Sequence, residues 1–174
     1  MVGRLEVIMG CMFSGKTSEM IRRIKRFRAI GKKVFVVNSA KDIRCDESLH
    51  THDSVNLKAV KVDRLHTIMD KIVNYDIIAI DEFQFFDEHA IDVVKTLVYL
   101  NKEVIVAGLD GDFKQKKFGC VIDLIPFSDD VTKLSALCCH CGLPAPFTKR
   151  TTHEISQELV GASEYYIPVC RNHL

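Results

Sequence analysis

No apolar run in this sequence approaches the ~18 residues that a membrane-spanning helix needs. The N-terminus also lacks a basic stretch followed by an apolar run and a cleavage site, so no secretory leader is expected. Tryptophan is absent, and beyond residues 1–33 aromatic residues are not read as interleaved with basic ones, so no platform for stacking on bases is expected there. Neither a membrane nor a nucleic-acid partner is therefore expected. Net charge is small, +1, but uneven. Residues 1–33 carry nine Lys and Arg against Glu6 and Glu19. That concentration reads as a solvated helix face beside a polyanion site more readily than as a nucleic-acid patch. What is present is 174 residues, 47% of them apolar, enough for one globular domain and a small appendage.

Gly10-Cys11-Met12-Phe13-Ser14-Gly15-Lys16-Thr17 spells G-x-x-x-x-G-K-[ST] in full. Its setting matches: the apolar run Leu5 to Met9 leads in and a helical stretch from Ser18 to about Ile30 leads out. Backbone N–H groups converging at a helix N-terminus would cradle the phosphates of a nucleoside triphosphate, with Lys16 reaching the β- and γ-phosphates and the Thr17 hydroxyl ligating Mg²⁺. Ile77-Ile78-Ala79-Ile80 is an apolar strand ending in Asp81-Glu82. Beside a phosphate loop, Asp81 reads as the second Mg²⁺ group and Glu82 as a base able to take a proton from the attacking oxygen.

The remaining pattern alternates strands and helices. Met20, Ile21, Ile24 and Phe27 share a helical face, and Val34–Val37 is a buried-strand run. Residues 38–56 read as a polar loop, within which Arg44 could fold over a phosphate. Residues 63–74 read as a helix, as do Ala90–Leu100, and Glu103–Gly108 as a strand. Such alternation predicts a mainly parallel sheet flanked by helices, with ligands at its carboxyl edge. Gly10–Thr17, Asp81–Glu82 and the turn at Leu109-Asp110-Gly111 should all meet there.

Without a leader sequence, a phosphate-loop protein is expected in a reducing, cytoplasmic compartment, where clustered cysteines read as metal ligands rather than disulfides. Cys138-x-x-Cys141 and Cys170-x-x-His173, separated by 28 residues, supply four ligands for a closed, structural Zn²⁺ site. Cys139 and His140 stand next to them and leave that ligand set open. A metal tying both ends of the polar 144–169 stretch would lower the entropic cost of ordering it over a ligand.

Taken in order, Gly10-x-Met12-Phe13-Ser14-Gly15-Lys16, Asp42-Ile43-Arg44, Thr51-His52-Asp53, Asp81-Glu82-Phe83-Gln84-Phe85-Phe86, Leu109-Asp110-Gly111, Thr148-Lys149-Arg150 and the paired Cys/His knuckles resemble the type II thymidine kinases over essentially the whole chain. The resemblance implies transfer of the ATP γ-phosphate to thymidine, and to deoxyuridine as well, within nucleotide salvage for DNA synthesis. It implies a phosphate-loop α/β domain over residues 1–137 and a zinc-binding lasso domain over 138–174. Glu82 then matches the general base, assisted by Lys16 and Arg44. Asp42, Ile43 and Arg44, with Asp81, Glu82, Phe83 and Gln84, match nucleotide-contacting segments. Met12, Leu109, Phe113, Phe118, Thr148, Gln157, Glu158, Leu159, Val160, Gly161 and Tyr166 match the nucleoside site. A homotetramer inhibited by dTTP is further implied.

Three departures from the family pattern stand out: Cys11 replaces a proline, Phe83 a small residue, and Gln157 with Ala162 the usual lasso sequence. Two alternatives use the same motifs: a recombinase- or helicase-like ATPase whose knuckle grips DNA, and a non-enzymatic nucleotide-gated zinc scaffold.

Overall fold

The computed structural model describes residues 2–42, 48–50, 56–157 and 165–174. Its centre is a six-stranded sheet: β1 (Arg4–Gly10), β2 (Val34–Ser39), β5 (Val60–Val62), β6 (Ile77–Ile80), β7 (Glu103–Gly108) and β8 (Asp130–Leu134). The strand order is β5-β2-β6-β7-β1-β8, and all five pairings are parallel. Period-2 alternation divides each strand between two cores. Ile78, Ile80, Val104 and Val106 pack on one face with Val93, Val94 and Leu97 of α3 (His89–Tyr99). Ile77, Ala79, Ile105 and Ala107 pack on the other with Met20, Ile21 and Ile24 of α1 (Lys16–Ala29). Both faces are covered, which is why these strands read as continuous apolar runs.

Two segments differ from expectation. Residues 63–74 form a 3₁₀ turn, Leu65–Ile68, and a single α turn, α2 (Met69–Ile72). Leu65, Ile68 and Ile72 still reach the core, because their spacing suits either helix type over so short a span. Within the expected 38–56 loop, β2 runs on through Ser39, and β3 (Ser48–His50) pairs antiparallel with β4 (Asn56–Lys58). The apolar Val121–Ile125 segment is the start of a 3₁₀ helix, Val121–Phe127.

A smaller cluster follows β8. β9 (Ala136–Leu137) pairs with β10 (Pro144–Ala145), and β11 (Phe147–Arg150) with β12 (Tyr166–Val169). Ala136, Ala145, Val169, Cys138 and Cys170 form one buried cluster with Cys11 of the phosphate loop. Arg23 of α1, from the basic residues 1–33, is spent internally. It donates to Glu6 at 2.6 Å, Glu19 at 2.8 Å and Thr132 at 2.8 Å, tying α1 to β1 and β8.

Candidate active site

Parallel register brings the strand ends level: Val37 pairs with Ile80, Ile80 with Val106, Met9 with Gly108, and Gly10 with Leu134. The loop Gly10–Thr17 leaves β1 at this edge. At Gly10, φ is +153°, and a Cβ would lie 2.3 Å from the Leu134 carbonyl oxygen, so only glycine fits against β8. Phe13 and Gly15 also take positive φ, and Gly15 begins α1. The Lys16 ammonium is buried and donates to the Cys11 carbonyl at 2.8 Å. Ser14 Oγ donates to the same oxygen at 2.8 Å.

Sixty-four residues away in sequence, Asp81 meets this loop: Thr17 Oγ1 donates to Asp81 Oδ2 at 2.7 Å. Burial, reinforced by the Glu82 charge, pushes the Asp81 carboxyl well above the usual carboxylate range, against the Thr17 hydrogen bond. A cation at this hydroxyl–carboxylate pair would restore its charge, and the donor set suits Mg²⁺.

Glu82 is buried, with φ 52° and ψ 41°, a left-handed conformation that costs a non-glycine residue roughly 1–2 kcal/mol. Gln84 holds its side chain: Nε2 donates to Glu82 Oε2 at 2.5 Å while Oε1 accepts from the Leu109 N–H at 2.9 Å. Gln84 thus links the end of β6 to the end of β7. Gly119 makes this close packing possible, since a Cβ there would lie 2.2 Å from the Gln84 carbonyl oxygen. Phe83 is fully buried with its ring 5.9 Å from Phe86, so the large residue at this position belongs to the core beneath the site.

The small cluster grips the phosphate loop from the other side. The Met12 N–H donates to Thr148 Oγ1 at 3.0 Å, and the Cys11 thiol to the Ala145 carbonyl at 3.1 Å. Phe118 is buried edge-on to Phe85 at 5.8 Å. Phe113 lies under the Arg150 guanidinium, 3.8 Å from carbon to ring centre, and Tyr166 OH accepts from Arg150 at 2.6 Å. The Gln157 amide is engaged by the protein itself, donating to Asp112 Oδ2 at 2.7 Å. Asp42 is buried, and its carboxylate accepts from Asn38 at 3.1 Å. Ile43, Arg44, Glu158, Leu159, Val160, Gly161 and Ala162 lie outside the described residues.

Cys138, Cys141, Cys170 and His173 present ligand atoms that all lie within 4.8 Å of one another. The Cys141–Cys170 sulfur separation is 3.7 Å, close to the edge of about 3.7 Å for thiolates 2.3 Å from one tetrahedral ion. His173 Nδ1 faces Cys170 Sγ at 3.2 Å and Cys138 Sγ at 3.6 Å. Burial raises the Cys138 thiol, but backbone hydrogen bonds outweigh it and hold the group down at about 6. The donor set fits structural Zn²⁺. Cys139 is exposed, and neither it nor His140, whose ring stands 5.1 Å from that of His173, belongs to this group of four.

Sequence reasoning missed the bracing role of Gln84, the Asp112 turn and the centrality of Arg150. Thr148-Lys149-Arg150 drew notice only as part of a longer pattern. Asp112 Oδ1 accepts the Lys114 and Lys116 N–H groups at 2.8 and 2.9 Å, a turn that Asp110-Gly111-Asp112 could have signalled.

The thymidine kinase family model matches residues 3–174. The thymidine kinase of Sheeppox virus (strain KS-1) is 43% identical over 169 residues, covering 97% of this chain and 95% of its own. The cytosolic thymidine kinase of Homo sapiens is 38% identical, over 97% of this chain and 72% of its own. A solved DNA replication initiation factor superposes with a TM-score of 0.50 at 14% identity, covering 76% of this chain and 40% of its own; that likeness is one of fold. No helix among the described residues is long and apolar enough to cross a membrane.

Proposed function

The chain belongs to the thymidine kinase family, and from that premise we propose that it transfers the γ-phosphoryl group of ATP to the 5′-hydroxyl of thymidine, giving dTMP and ADP. The observation that carries this reading is the meeting of Thr17, Asp81 and the Gln84-braced Glu82 at one sheet edge. Gly10 to Thr17 hold the phosphates through backbone N–H groups, and Lys16 exchanges the Cys11 carbonyl for phosphate oxygens. Thr17 and Asp81 would hold Mg²⁺, which would supply neutralising charge to the phosphates. Glu82 accepts the 5′-hydroxyl proton, and Arg44 adds positive charge from the Asp42-Ile43-Arg44 segment.

Phe113, Phe118, Leu109, Tyr166 and residues 157–161 enclose the nucleoside. Met12 and Thr148, already bonded to each other, stand beside the thymine methyl. Cys138, Cys141, Cys170 and His173 would hold Zn²⁺, which would tie the small cluster, residues 138–174, as a lid on the 1–137 domain. The same reading includes acceptance of deoxyuridine, a cytoplasmic homotetramer, inhibition by dTTP, and no nucleic-acid partner.

The test is ADP release from Mg²⁺-ATP with thymidine, deoxyuridine, deoxycytidine, single-stranded DNA or buffer, with the monophosphate quantified. Thymidine-dependent turnover is expected, together with a fall in kcat of about 10²–10⁴-fold in Glu82→Gln at nearly unchanged ATP affinity. Stimulation by DNA alone, or an unchanged kcat in that variant, refutes the respective assignment.

A further inference from the structure

We propose that Arg150 is a positioning residue that sets nucleoside affinity, acting through the nucleoside-facing rings and the start of the lid segment. The inference rests on the reading above for the identity of the ligand; its geometry stands independently. Arg150 is buried, at 8% exposure, near the end of the small cluster's second hairpin. Its NH1 donates to the Glu154 carbonyl at 2.8 Å and the Ser156 carbonyl at 2.5 Å. NH2 donates to the Gln157 carbonyl at 3.2 Å and to Tyr166 OH at 2.6 Å. The guanidinium plane covers the Phe113 ring at 3.8 Å. One side chain therefore fixes the backbone of 154–157, the orientation of Tyr166 and the position of Phe113, three parts far apart in sequence.

The chemistry suits arginine alone. A planar fork can serve several acceptors in its own plane while stacking a face on an aromatic ring; an ammonium cannot do both. The acceptors are three carbonyls and a phenol, and no carboxylate among the described residues bonds to it. Nε, also buried, has no acceptor among the described residues. A buried cation whose hydrogen-bond acceptors among the described residues are all neutral, with one donor unmet there, is a costly way to fasten a loop. What it supplies is orientation. Residues 154–156 are themselves exposed, so the guanidinium holds them from beneath, at the entry to the 157–161 stretch.

The experiment compares wild type, Arg150→Met and Arg150→Lys as zinc-loaded full chains. Readouts are thymidine KM, ATP KM, kcat, zinc content and amide hydrogen exchange of 154–157. In Arg150→Met the thymidine KM should rise about 10- to 100-fold, the factor for losing one or two hydrogen bonds to a charged group. ATP KM and zinc content should not change, kcat should fall only about 3-fold or less, and exchange at 154–157 should accelerate. Arg150→Lys keeps charge and length but loses the fork, and its thymidine KM should stay about 5-fold or more above wild type. If the methionine variant does not fold, the lysine variant carries the test. A wild-type thymidine KM in the variant that folds overturns the inference, as does an equal loss in ATP KM and kcat. Absence of thymidine turnover in the wild-type protein instead overturns the functional reading, and this inference with it.

Discussion

Replacing Gln84 by leucine removes the bridge between Glu82 and Leu109 with little change in volume. Two interactions disappear: the amide-to-carboxylate hydrogen bond at 2.5 Å and the one satisfying the Leu109 N–H at 2.9 Å. A hydrogen bond to a charged group contributes about 1.5–3 kcal/mol, and an unmet buried N–H costs about 1–3 kcal/mol. Burial of the apolar replacement offsets part of this, leaving a net loss of about 2–4 kcal/mol. For a chain of this length that corresponds to a Tm lowered by roughly 6–12 °C, readable by calorimetry. The kinetic effect has a separate origin. Glu82 would keep its strained backbone but lose its side-chain anchor, and misplacement of a reacting group by about 1 Å can cost about 100-fold. We expect kcat to fall about 10- to 100-fold in the coupled ADP-release assay while the ATP KM stays near wild type. If Gln84 acts through Glu82, adding Gln84→Leu to Glu82→Gln should cost little further activity. A Tm within about 1 °C of wild type together with unchanged kcat would refute the reasoning. So would full additivity of the two kinetic losses.

Two further outcomes follow from the same coordinates. Burial, aided by the Glu6 charge, raises the Glu103 carboxyl from 4.5 to about 7. A raised acid favours folding below its unfolded value and loses that contribution as pH rises through 7. Glu103→Gln should therefore melt higher than wild type at pH 8, with the gap narrowing toward pH 4.5; a gap independent of pH would refute it. For the metal, Cys170→Ser should lower bound zinc well below one per chain and reduce Tm, whereas Cys139→Ser should retain both. Zinc content by atomic absorption decides it, and equal zinc loss in the two variants would show the tetrad to be misassigned.

Much of the architecture was legible because it is written locally. Ile77–Ile80 and Val104–Ala107 are apolar without interruption since both sheet faces are covered, and that condition leaves its mark on every residue of the strand. The phosphate loop is a contiguous string, and the Cys/His knuckles carry their own spacing. Short segments were harder. Leu65, Ile68 and Ile72 satisfy a helical spacing whether the backbone is 3₁₀ or α, so hydrophobic pattern alone could not tell a full helix from one turn of each.

By itself, then, the sequence determined the phosphate-loop motif, the parallel α/β plan, the paired Cys/His knuckles and the family, because each is recorded in contiguous residues or in fixed spacings. Tertiary structure alone decided which side chains serve one another. Strand order inserts β7 between β1 and β6, and so lets Gln84 reach Leu109 while Thr17 reaches Asp81. Packing of the small cluster sets Cys141, not Cys139, in the tetrad, brings Thr148 to Met12 and gathers Phe113, Tyr166 and residues 154–157 around Arg150. These contacts join residues up to 136 positions apart. Such pairings depend on how the sheet closes and which faces are covered, and no local propensity encodes that.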